Sequence, residues 1–81
     1  SKEAFKYYRK SASQGDPIGK AMVGYCYGYG IGVEQDLKQS YRWFMRSAKQ
    51  SFDFGLLGVA NALRHGLGVE KDEEASFKYI G

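Results

Sequence analysis

Gly30-Ile31-Gly32-Val33-Glu34-Gln35-Asp36 decides the fold, because the same pattern returns as Gly66-Leu67-Gly68-Val69-Glu70-Lys71-Asp72. The glycines, valine, glutamate and aspartate keep a constant offset of 36 residues. The register extends outward from the loops. Phe5, Tyr41 and Phe77 align, as do Tyr7, Trp43 and Tyr79, then Tyr8, Phe44 and Ile80, and Ala12 with Ala48. That period is the length of a helical hairpin, and hairpins recurring at a fixed period argue for a stacked helical repeat.

Five helices are expected around the two loops. Residues 1–12 carry Ala4, Phe5, Tyr8 and Ala12 at helical spacing without Gly or Pro. Gly15 suits the left-handed residue that follows a helix. Asp16-Pro17 then reads as a start, an acceptor side chain followed by a residue at ease in the first turn. The second helix runs from Ile18 to about Tyr29. Gly19, Gly24 and Gly28 each cost it about 1 kcal/mol of helix propensity, so close approach of a neighbouring helix is their expected compensation. Gly30 ends it.

Asp36 caps the third helix, residues 37–49, with Gln39 completing a capping box. Ser40, Tyr41, Phe44 and Ala48 form its inner face, with Trp43 beside it. Ser51 or Asp53 is the expected cap of the fourth helix, Phe54 to His65. Asp72 caps a fifth that stops at Gly81. Bulky aromatics thus recur on the second helix of each hairpin and small residues on the first, so that bulk meets space.

Length and composition set the outer limits. The chain has 81 residues, 43% of them hydrophobic and 16% aromatic, which suits one small globular unit. No apolar run is long enough to span a bilayer. No charged stretch followed by an apolar one opens the chain as a secretion signal would. The net charge of +3 permits an acidic partner without demanding nucleic acid. Cys26 is the single cysteine, so no intrachain disulfide can form, which favours a reducing compartment such as the cytoplasm.

The pattern resembles the Sel-1-like repeats, relatives of the tetratricopeptide repeats built from an α/α hairpin. The residues that carry the resemblance are Val23-Gly24, Tyr27, Gly30, Gly32-Val33, Asp36, Trp43-Phe44 and Arg46-Ser47-Ala48. It covers a half unit over 1–15, a full unit over 16–51 and a partial unit over 52–81. Three departures, Ala60 for Gly24, Leu63 for Tyr27 and Ser51 for the turn glycine, suggest a less regular second hairpin. The resemblance implies an all-α, right-handed solenoid. With fewer than three full units and no initiating Met, the chain reads as a piece of a longer array, prone to self-association through exposed repeat ends.

No catalytic constellation emerges. Gly28-Tyr29-Gly30-Ile31-Gly32 is not the dinucleotide-binding glycine pattern, and Gly15 to Lys20 is one residue short of a P-loop with no hydroxyl residue after the lysine. His65, the only histidine, lies 39 positions from Cys26, which supports neither a zinc site nor a nucleophile–base pair. No metal or cofactor is expected.

Two features suit binding. One is the stripe Ile18, Met22, Tyr25, Tyr29 on the second helix with its counterparts Phe54, Gly58, Asn61 and His65 on the fourth. The resemblance implies that these first helices line a concave surface. Met22, Tyr25, Tyr29, Asn61 and His65 are the candidate contacts for a partner protein or peptide, while Ile18 and Phe54 are expected to pack. The other is a basic ridge in which Lys2, Lys6 and Lys10, then Lys38, Arg42 and Arg46, are spaced by four. Its core, Lys6, Lys10, Arg42 and Arg46, is suited to an acidic protein, an anionic membrane or RNA. The expected function is a non-catalytic interaction module, an adaptor or scaffold. The alternatives are electrostatic docking through the ridge and substrate positioning within a larger enzyme.

Overall fold

A computed structural model describes residues 2–80, and for Ile80 the backbone alone. Its helices are α1 (Lys2–Ser13), α2 (Pro17–Tyr29), α3 (Leu37–Ala48), α4 (Asp53–His65) and α5 (Glu73–Ile80). No strand occurs among the described residues. The stop expected at Gly81 lies outside them. Each helix packs on the next, and α2 also touches α4. Two layers result, α2 and α4 in one and α1, α3 and α5 in the other.

The repeated loop is the same device twice. Gly30 (φ 68°) and Gly66 (φ 69°) end α2 and α4 in the left-handed conformation, which a residue with a Cβ adopts only with strain. Their amides return to the carbonyls of Cys26 and Ala62. Asp36 N–H donates to Tyr27 O at 2.9 Å, and Asp72 N–H to Leu63 O at 2.7 Å, so each loop is tied back to the helix before it. The two aspartates then cap the following helices: Asp36 Oδ1 accepts from Gln39 N–H at 3.2 Å, and Asp72 Oδ1 from Ala75 N–H at 3.0 Å. The capping box expected at Asp36 is only half formed, because its amide already donates to Tyr27.

The opposite turns are less uniform. Asp16 Oδ1 accepts from Ile18 N–H at 3.0 Å and Pro17 takes the first helical position, as the sequence predicts. The cap of α4 does not follow the prediction. Phe52 occupies that position and offers no side-chain acceptor, while Asp53 falls in the first turn. There its negative charge still faces the positive end of the helix dipole. Ser51 is neither cap nor relaxed turn. It takes φ 59°, the conformation Gly15 supplies at φ 86° one repeat earlier.

The core forms where α3 lies between α2 and α4. A Cβ on Gly24 would stand 3.0 Å from the Phe44 ring, and a Cβ on Gly58 would overlap that ring. Phe44 is held edge to face against Phe54, with ring centroids 5.7 Å apart. Ala21, Ala48, Val59 and Leu63 complete the buried cluster. Two buried serines fasten α3 to α2: Ser40 Oγ donates to Gly24 O and Ser47 Oγ to Pro17 O, each at 2.7 Å. Small residues on the first helices therefore do receive the bulk of the second, as the sequence implied.

Ile18 departs from its expected packing role, being 52% exposed. Its counterpart Phe54 rests on Tyr25 of the preceding first helix at a ring separation of 6.0 Å. No first helix precedes α2 among the described residues, so Ile18 has no equivalent surface to cover it.

Candidate functional site

The groove begins where α2 and α4 run side by side over α3. Along α2, Tyr25 and Tyr29 are one turn apart on one face, with ring centroids separated by 4.8 Å. Tyr25 leads to Phe54 on α4, and Phe54 to Phe44 on α3. Four rings thus form a continuous aromatic path from the exposed rim to the buried floor. The cavity beside them measures about 350 Å³.

Of the sequence-predicted contacts, Tyr25, Tyr29 and Asn61 line this groove and Met22 and His65 do not. Met22 is half-buried on α2 and His65 is exposed at the end of α4. Gly58 takes the place in α4 that Met22 has in α2, and the groove opens over it. Phe54, expected only to pack, both packs and lines the wall.

Sequence periodicity missed Leu37, Leu57 and Leu67, which also border the cavity. They come from the start of α3, from α4 and from the loop after Gly66, so no single stripe links them. Leu67 had a signal, since it repeats the apolar Ile31 between two glycines. Gln35 completes the rim, with its Nε2 donating to Gly28 O at 2.8 Å. Besides the tyrosines, no ionisable side chain among the described residues lines the groove. It can bury apolar surface and offer amide hydrogen bonds.

The basic residues lie elsewhere. Lys6 and Lys10 on α1, and Arg42 and Arg46 on α3, are all exposed. Arg46 stacks its guanidinium over Trp43, 4.6 Å from the ring centroid. The ion pair found among the described residues, Lys71 with Glu73 at 3.4 Å, involves none of these four. Cys26 is buried, and burial pushes its thiol pKa up, which keeps it protonated and poorly nucleophilic. Burial, then the neighbouring Tyr79, likewise raises the Tyr41 phenol. Among the described residues no cluster of His, Cys, Asp or Glu could hold a metal ion. No helix there is long and apolar enough to cross a membrane.

Comparison with known proteins places this geometry. The solved structure of a Sel1 repeat protein from Oxalobacter formigenes superposes with a TM-score of 0.93 at 29% identity, over 96% of this chain and 22% of that one. A protective antigen present in uropathogenic Escherichia coli strains, displaying an SLR fold, superposes with a TM-score of 0.90 at 32% identity, over 96% and 17%. The chain therefore spans about a fifth of the length of these structures. No curated protein matches it. The Sel1 repeat model matches residues 1–16, 17–52 and 55–80, so the repeated loops, the glycine-lined first helices and the aromatic second helices have one explanation. This chain belongs to the Sel1 repeat family.

Proposed function

We propose that the chain is a non-catalytic adaptor or scaffold module that holds a partner protein or peptide on the concave layer formed by α2 and α4. Sel1 repeats are generally protein–protein interaction modules, and the fold is typically a non-catalytic scaffold. The observation that carries the concave-face reading is the groove of Tyr25, Tyr29 and Phe54 on the Phe44 floor. Aromatic side chains at a partly formed cavity are the usual anchors of recognition. A second reading rests on the exposed Lys6, Lys10, Arg42 and Arg46, which lack acidic partners among the described residues. These would dock an acidic surface.

The two readings separate by affinity capture at low and high salt, using the native chain, the Tyr25→Ala/Tyr29→Ala pair, and a variant with all four basic residues changed to Gln. Groove binding survives salt and the basic substitutions and is lost in the tyrosine pair, with thermal midpoints confirming that each variant folds. Binding that collapses with salt and with the basic substitutions overturns the groove reading in favour of the ridge.

A further inference from the structure

We infer that the groove between α2 and α4 is the seat for one uncharged apolar side chain, of leucine, methionine or phenylalanine size, presented by a peptide segment of the partner. This deepens the concave-face reading and rests on it. Seven large hydrophobic side chains stand well exposed among the described residues, and four of them, Tyr29, Leu37, Leu57 and Leu67, converge on this one cavity. Scattered exposed hydrophobics are ordinary, whereas a contiguous set around a concavity marks an interaction surface.

Charge narrows the occupant. Among the described residues the wall offers no Lys, Arg, Asp or Glu, so a charged side chain entering it would lose water and gain no counter-ion. Size narrows it further. At about 350 Å³ the cavity is at the small end of ligand sites, too small for a helix and sufficient for one large side chain with its backbone. The repeat shows how the seat arises: Gly58 stands where α2 has Met22 and lets the Phe44 ring lie against α4 as the floor, and Asn61 stands where α2 has the longer Tyr25. Asn61 is exposed, and its side-chain amide makes no hydrogen bond among the described residues, which leaves a donor and an acceptor for the peptide backbone.

The test uses blocked pentapeptides, N-acetyl-Gly-Gly-Xaa-Gly-Gly-amide, titrated into the isotopically labelled chain while backbone amide resonances are followed. With Leu, Met or Phe at Xaa, the amides of Gly58, Asn61 and Leu67 should shift, with binding at least about tenfold tighter than for Gly, Asp or Lys. Asn61→Trp, a change at an exposed position, should fill the seat and weaken the Leu probe at least about tenfold without lowering the thermal midpoint. Groove shifts of equal size for all probes, or tightest for Asp or Lys, overturn this inference and leave the interaction-module reading standing. No binding up to the solubility limit also overturns it. Groove shifts that grow with protein concentration in the absence of probe would make a second copy of the chain the occupant, and overturn it too. Shifts confined to Lys6, Lys10, Arg42 and Arg46 would overturn this inference together with the concave-face reading on which it rests.

Discussion

The helices α2 and α4 occupy equivalent places in successive repeats, and they agree only where they are buried or where they turn. Val23 and Val59 are both fully buried, Gly19 and Gly55 both let a second helix close in, and Gly30 and Gly66 share one conformation. On the groove side they part company: Met22 faces Gly58 in the alignment, Tyr25 faces Asn61, and Tyr29 faces His65. Ala21 is fully buried while its counterpart Leu57 is 47% exposed. Repetition therefore marks the scaffold, while on the groove side the two helices share no residue.

That comparison is most severely tested at the Phe44 contact. Gly58→Met, which gives α4 the residue of α2, should drive a side chain into the Phe44 ring and destabilise the chain by about 3 kcal/mol or more. Met22→Gly should cost about 1 kcal/mol, mainly helix propensity. Chemical denaturation of both variants measures the asymmetry. Equal losses would mean that the two positions share one environment.

A smaller effect tests what is shared. Gly30→Ala and Gly66→Ala should each lose about 1 kcal/mol, and by similar amounts, because both residues need a left-handed backbone. Ser51→Gly should do the reverse and stabilise the chain by about 0.5–1 kcal/mol, since serine at φ 59° carries strain that glycine does not. A destabilised Ser51→Gly variant would show that the serine hydroxyl contributes more than the strain removes.

The smallest effect concerns alkali. Cys26 and Tyr41 both have raised pKa values in the folded chain, with burial the leading cause. Above its ordinary pKa each group loses its proton more readily in the unfolded chain than in the folded one. Stability should therefore fall as pH rises through the ordinary thiol range and then the phenol range. Cys26→Ala places at Cys26 the residue its counterpart Ala62 already supplies. Thermal midpoints between neutral and alkaline pH should decline less steeply in that variant, and an unchanged slope would assign the effect elsewhere.

Most of the scaffold was legible in the sequence because its determinants are local and occur twice. Aspartate caps, turn glycines and glycine opposite aromatic bulk are each read within a few residues and confirmed one period later. The α4 start was not, because Ser51 accepts the left-handed backbone that glycine normally supplies and Phe52 begins the helix without an acceptor. The groove was half legible. Helical spacing found Tyr25, Tyr29 and Asn61, which share a layer, and could not find Leu37 and Leu67, which reach the same cavity from another helix and a loop. Helical spacing also grouped Met22 and His65 with them, although neither lines the cavity. A stripe records which side of a helix a residue is on, and the cavity depends on where neighbouring helices leave space.

The central claim is that the divergent face of α2 and α4, rather than the basic rows of α1 and α3, meets the partner. The most direct measurement adds a captured partner to the isotopically labelled chain and maps which amide and side-chain resonances shift. Shifts centred on Tyr25, Tyr29, Leu57, Asn61 and Leu67, persisting at high salt, are the predicted result. Shifts centred on Lys6, Lys10, Arg42 and Arg46, vanishing as salt rises, would contradict it.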